Sequence, residues 1–285
     1  MRVSPLCLTV CLASLSGVAS AAPPSAAEAA KLYRWKRTRA QYEPLSARFA
    51  APGGFERVET KRGSYGWWLR HLPLRAKGTP VRSYRGREIL PGDHKALAAV
   101  VDMDVGRRDL QQCADTLMRV RGEYHFASGK PRRTRFLWAG GRRFGYAHWI
   151  EGKRPVKQGR RWVFAKKARA CRGYRCFRRY LTYMFAWTGT IHQMGEQRVR
   201  GALRIGDFFI QGGSPGHVVV IVDLARDKHG KLKAMIAQGY MPAQDMHVMR
   251  APDGSPWFDL VPGSPVRTPI WSNRFEWKQL RRFKY

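Results

Sequence analysis

The period of hydrophobic and polar positions changes several times along the chain, and each change predicts an element. Residues 25–42 ("SAAEAAKLYRWKRTRAQY") have helical composition and predict a leading helix or arm. "PGGFERV" opens a loop-and-strand region, and "YGWWLRHLPL" reads as a short helix ended by Pro73. From Lys95, "KALAAVVDMDVG" passes from an apolar run into a strand with Val101, Met103 and Val105 on one face. A strong helix is predicted next, in "DLQQCADTLMRVRGEYHF". There Leu110, Cys113, Leu117, Val120 and Tyr124 recur at helical spacing, Asp109 is the expected N-cap, and Gln112 holds the capping-box position.

The stretch 128–169 is basic, glycine-rich and studded with Trp138, Trp149 and Trp162, which predicts an irregular insertion with short strands. A second helix is expected over "FRRYLTYMFAWTGT", ending at Gly189. Three strands follow, "IGDFFIQ", "HVVVIVDL" and "LKAMIAQ", separated by turn residues, before a proline-rich tail. Helices in one half and consecutive antiparallel strands in the other define an α+β class, an antiparallel sheet packed against helices. The expected organisation is a signal peptide over 1–21, an N-terminal helix or arm over 22–44, and a single domain over 45–285 carrying the insertion.

Composition sharpens this picture at two places. The opening "MRVSPLCLTVCLASLSGVASAAPPS" has a positive start, a short apolar stretch and small residues before Ala22, the pattern of a cleaved secretory signal. A bacterial periplasmic or secreted location is therefore expected, in an oxidising compartment. The net charge is +33, and between Lys130 and Tyr180 there are 18 lysines and arginines against the single acid Glu151. Such a field attracts polyanions: an anionic envelope polymer, a peptidoglycan peptide or an acidic membrane surface. No nucleic-acid motif accompanies it, and the same charge also reads as a solvated surface.

Cysteine and histidine carry the candidate chemistry. Cys171 and Cys176 in "ACRGYRC" have the spacing of a small local disulfide, which leaves Cys113 unpaired in the mature chain. A thiol in the first turn of a helix is expected to have a lowered pKa and to act as a nucleophile beside an imidazole. His217 opens the strand after the turn "GGSPG". If Leu224 pairs with Lys231 across the following hairpin, His217 lies directly opposite Gln238, whose amide would orient the ring. Asp223 shares His217's face by alternation, but six residues of strand put it roughly 20 Å away, so it is excluded as the orienting group.

A plain reading stands beside the catalytic one. Free cysteine is among the most buried residue types, and His217 and Gln238 would then serve backbone groups in the turn. Asp102 and Asp104 alternate onto one strand face as paired carboxylates or as salt-bridge partners of Arg119 and Arg121, with Glu123 near them. The histidines show no paired metal spacing, and no metal or cofactor is expected.

"LQQCADTLMRVRGEY", "IGDFFIQGGSPGHVVVIVDLA" and "AQGYMPAQDMHV" together resemble the bacterial family called domain of unknown function 4846, as do "WLRHLPL", "VVDMDVG" and "RRYLTYMFAWTGT". The resemblance covers nearly the whole mature chain and implies no established activity. Against it, Cys171, Cys176 and the heavy positive charge look like local additions. More remotely, "GDFFIQGGSPGHVVVIVD" resembles the signature of NlpC-type and CHAP-type papain-like cysteine peptidases, which cleave cell-wall peptides. That resemblance implies Cys113 as nucleophile, His217 as base and Gln238 as third residue. Backbone N–H groups at the helix start, with Gln112, would form an oxyanion site. The 104 residues from Cys113 to His217 would then hold the basic segment as an insertion.

Overall fold

The computed structural model describes residues 21–35 and 42–284. The expected signal peptide lies outside these residues apart from Ala21, as does the stretch 36–41 of the expected leading helix. Helix α1 (Ala26–Leu32) starts at Ser25, whose hydroxyl accepts from the Glu28 N–H while Glu28 accepts from the Ser25 N–H. This reciprocal pair satisfies two donors that a helix start leaves free. Behind it, Tyr33 and Trp35 are buried against Trp68.

Two short helices, α2 (Leu45–Arg48) and α3 (Tyr65–Arg70), flank strand β1 (Phe55–Arg57). A small hairpin of β2 (Val81–Arg82) and β3 (Glu88–Leu90) precedes β4 (Leu97–Val100). The strand expected to run on through Val105 stops at Val100. Beyond it Val101 and Met103 stay buried, but Asp104 turns to meet Arg119 and Arg178.

Helix α4 (Cys113–Ala127) is the organising element. Leu117 and Val120 face the main core, while Met118 enters a second apolar cluster on the other side. A helix covered on both flanks must bury polar groups as well, and these are paired. Arg119 bonds Glu123 at 2.6 Å, Gln111 at 2.7 Å and Asp104 at 2.9 Å. Tyr174 completes the Glu123 carboxylate at 2.9 Å. Glu123 is thus a buried ion-pair member, and Asp104 is a structural carboxylate.

The basic stretch folds as two hairpins around a short helix. They are β5 (Arg135–Leu137) with β6 (Arg143–Gly145), then α5 (Tyr146–Ile150), then β7 (Lys153–Gln158) with β8 (Arg161–Lys166). Helix α6 (Gly173–Phe185) begins four residues earlier than its apolar pattern suggested and ends at Phe185, before a separate turn of helix, α7 (Thr190–Gln193). The Cys171–Cys176 disulfide closes over the start of α6. Phe136, Trp138, Phe144, Phe177 and Tyr180 share one cluster, so the hairpins and α6 form a single packed unit. Gly122 permits its approach to α4, since a Cβ there would lie 3.0 Å from Leu181 and 3.2 Å from Phe177.

The remaining strands are β9 (Gln197–Arg198), β10 (Phe208–Gln211), β11 (His217–Asp227), β12 (Leu232–Gln238), β13 (His247–Met249), β14 (Phe258–Leu260) and β15 (Leu280–Arg282). With β1 and β4 they make a nine-stranded antiparallel sheet whose main path is β4-β13-β12-β11-β10-β15-β9. The chain is therefore α+β. Strand β11 lies at its centre, buried from His217 through Ala225, which explains an unbroken apolar run where a half-exposed strand would alternate.

Its pairing with β12 departs from the expected register in an informative way. Arg226 pairs with Leu232 and Asp223 with Met235, but Ile221 pairs with Ile236, so Val222 is an extra residue in the ladder. The hairpin closes farther out than a Leu224–Lys231 pairing would place it, and the bulge then corrects the count by one. The net shift from the expected register is two residues, so the faces are conserved. Gln238 comes across from Val219, diagonal to His217 and not directly opposite it. Beyond the bulge the alternation is reversed, and Asp223 faces away from His217. There its carboxylate binds Arg70 at 2.6 Å and Arg57 at 2.7 Å.

Candidate functional site

The helix start differs from expectation by three residues, and this moves the cysteine. Gln112 is the N-cap, and Cys113 is the first residue of α4. Asp115 takes the capping role, accepting the Gln112 N–H at 3.2 Å. Asp109 instead accepts from the Gln112 side chain at 3.0 Å and from the Ala243 N–H at 2.7 Å, tying the turn after β12 to the helix. Gly239 makes that approach possible: a Cβ there would fall 2.2 Å from Thr116 Oγ1 and 3.2 Å from the Gln112 carbonyl.

These elements bring Cys113 to the start of β11. Its Sγ lies 3.9 Å from the Gly216 carbonyl oxygen. A cleft of about 240 Å3 reaches the thiol, bounded by Asp115, Thr190, the turn from Gly213 to Gly216, and Met241. Met241 is exposed at its rim, and Leu110, Phe185 and Pro215 add apolar lining.

The expected lowering of the thiol pKa is not found. Burial pushes it up to about 11, helped by the Asp115 carboxylate, and the N–H groups of Ala114, Val218 and Cys113 only partly offset this. The helix-end effect is a fraction of a kcal/mol to ~2 kcal/mol. Enclosing the sulfur outweighs it, and the resting group is a neutral thiol. No hydrogen bond joins it to the imidazole of His217; its acceptor is the neighbouring carbonyl.

His217 is fully buried, with Tyr240, Trp271 and Phe275 around the ring at centroid distances of 4.8, 5.0 and 6.1 Å. This enclosure lowers its pKa to about 4, against the opposing effect of its bond to Gln238. The ring is neutral, and its tautomer follows from a chain of partners. His247 Nδ1 lies 3.0 Å from the Asp245 carbonyl, which only accepts, so Nδ1 carries the proton of this neutral ring. His247 Nε2 is then an acceptor and takes the Gln238 amide N–H at 3.1 Å. That turns the amide oxygen towards His217, whose Nε2–H donates to it at 2.7 Å. His217 Nδ1 is left bare, buried and without a hydrogen-bond partner.

The structure thus joins His217 to Gln238, and lays Cys113 against the residue preceding that histidine. Asp223 belongs to a separate ion-pair network. Sequence reasoning missed His247, which pairs directly with Gln238 across β12 and β13, and it missed the aromatic enclosure. Only the β13 register and the path of the C-terminal segment reveal either. Asp115 was also missed: its Oδ1 is buried without a partner, and burial raises its pKa well above the ordinary carboxylate value. Among the described residues no group of three His, Cys, Asp or Glu side chains is placed to hold a metal ion. Nor is any helix of the described residues long and apolar enough to cross a membrane.

An antiparallel sheet with a buried cysteine at a helix start and an amide-held histidine on the central strand defines the class. Residues 45–282 match the family model described as Domain of unknown function (4846), and the chain belongs to that family. No curated protein and no solved structure matches the chain.

Proposed function

We propose that this protein is an exported cysteine hydrolase of papain-like chemistry, acting on amide bonds of a cell-envelope component such as peptidoglycan peptides. The observation that carries the reading is the bare Nδ1 of His217, held in that tautomer by Gln238 and His247 beside the strand start where Cys113 lies. In this reading Cys113 Sγ attacks a carbonyl carbon while its proton passes to His217 Nδ1. Backbone N–H groups at the start of α4 stabilise the oxyanion. His217 then protonates the leaving amine, and water cleaves the resulting thioester. The amide of Gln238 orients the ring without becoming charged. Exposed Lys157, Arg160, Arg161, Lys166 and Lys167 on the β7–β8 hairpin would grip an anionic polymer.

A second reading has its own support. Cys113 is buried, its pKa is raised, and it bonds a backbone carbonyl. The protein would then be a non-catalytic cationic envelope-binding protein with Cys113 as a core residue.

Incubation with purified sacculi separates the two. The hydrolase releases new amino termini, and Cys113→Ala and His217→Ala each abolish the release. Salt-sensitive binding to sacculi, unchanged by Cys113→Ala and without released termini, identifies the binder.

A further inference from the structure

A second cavity, of about 390 Å3, lies farther along α4, lined by Lys61, Tyr65, Arg121, Arg204, Arg282 and Phe283 among others. Arg121 is eight residues beyond Cys113, so about 12 Å of helix rise separates them. Among the described residues, the fully buried arginines Arg70 and Arg119 both meet carboxylates. Arg121 does not. Its guanidinium is enclosed by the rings of Tyr65, Phe283 and Tyr124, at 4.7, 5.7 and 5.8 Å from their centroids. Its Nε is buried without a hydrogen-bond partner, and no carboxylate among the described residues forms a salt bridge with it. The Tyr65 hydroxyl beside it is also buried and unpartnered.

Nearby acids form no salt bridge with Arg121. Glu196, whose charge reaches Arg121, pairs with Arg143 at 2.6 Å through Oε1, while its Oε2 is buried without a hydrogen-bond partner. Asp207 accepts from Arg282 at 2.6 and 2.7 Å and from the Arg204 N–H at 2.8 Å. Glu59 lies at the exposed rim. An enclosed cation and a hydroxyl donor without acceptors are costly unless an anion completes them. The planar guanidinium fork suits carboxylate and phosphate oxygens. Leu203, Ile205 and Phe283 supply an apolar wall for the body of such a molecule.

We propose that this cavity is a binding site for a small organic oxyanion, a carboxylate or phosphate, held by the Arg121 guanidinium and the Tyr65 hydroxyl. The site is separate from the Cys113 cleft and does not depend on how that cleft functions.

The test is calorimetric titration of the mature chain with inorganic phosphate and, separately, malonate. Ionic strength is held near ~0.15 M, where surface charges are screened over about 8 Å. One saturable site per chain is expected for at least one probe, and the tighter probe identifies the group recognised. Arg121→Met should raise Kd at least about tenfold, a loss of ~1.4 kcal/mol. Tyr65→Phe should raise it several-fold, and Arg267→Met, at an exposed position outside both cavities, should leave it unchanged. Absence of saturable binding for both probes overturns the proposal, as does equal weakening by Arg267→Met. Should Arg121→Met fail to fold, Tyr65→Phe decides: Kd unchanged from wild type overturns the site.

Discussion

The sulfur of Cys113 points its proton at the carbonyl oxygen of Gly216, 3.9 Å away, rather than at the imidazole of the next residue. A carbonyl oxygen repels a thiolate, so this contact belongs to a neutral thiol. The resting geometry agrees with a thiol pKa pushed up to about 11.

Alkylation of Cys113 by iodoacetamide should therefore be slow near neutral pH and climb steadily towards pH 11. Asp115→Asn removes a carboxylate whose charge raises the thiol pKa, while its amide oxygen still accepts the Gln112 N–H. The variant should react several-fold faster at fixed pH. A wild-type rate that levels off by pH 7 would contradict the neutral-thiol state.

Gln238→Leu keeps the approximate volume of the side chain and deprives both His217 and His247 of their partner. Two buried ring nitrogens lose hydrogen bonds, at about 1–3 kcal/mol for each group left unsatisfied. Denaturant unfolding should register that loss. Under the hydrolase reading, release of amino termini should fall by on the order of a hundredfold or more, because the ring is no longer held in one tautomer.

How much of this site is legible in the sequence depends on what each part rests on. Cys113, His217 and Gln238 stand out because local patterns place them on a helix start, a strand start and a strand end. The diagonal contact could not be anticipated, since it depends on a one-residue bulge within an unbroken run of valine and isoleucine. The error was two residues, an even number, and so Gln238 still reached the ring. The cap was misassigned because Asp109 and Asp115 are both good capping residues. Asp109 is claimed by the distant Ala243 N–H, a contact between residues 134 positions apart. The raised thiol pKa escaped for the same reason: it is set by the turn and the strand that close over the helix start.

Gly239→Ala should destabilise the fold by about 1–3 kcal/mol, the usual cost of overpacking. The new methyl would collide with Thr116 and the Gln112 carbonyl, both on the first turn carrying Cys113. Thermal unfolding checks this. A melting temperature unchanged from wild type would mean the helix start is free to retreat.

Arg70→Met should cost about 3–5 kcal/mol, because it removes one partner of a carboxylate with no solvent exposure. Arg57 remains bound to Asp223, so the loss belongs at the lower end of that range. A double-mutant cycle with Asp223→Asn measures the coupling.

Acid should unfold the protein early. His71, His217 and His247 have pKa values lowered to about 4, and His125 to about 3, each chiefly through burial. Folded values below the ordinary 6.5 mean that protons favour the unfolded chain. The stabilisation is complete above pH 6.5 and is lost as pH falls towards 4, at about 1.4 kcal/mol per pH unit for each ring. Melting temperatures measured from pH 7 to pH 4.5 should fall steeply. A flat profile would show that these rings are hydrated.

The extra residue at Val222 divides β11 into two lengths that read opposite sides of the sheet. One length offers a histidine to the Gln238 amide, and the other offers an aspartate to two arginines. Spacing, more than residue identity, keeps these polar systems apart. Deleting the single apolar residue Val222 would alter the count between them and turn one of the two systems onto the wrong face. Substituting it by another aliphatic side chain would leave both where they are.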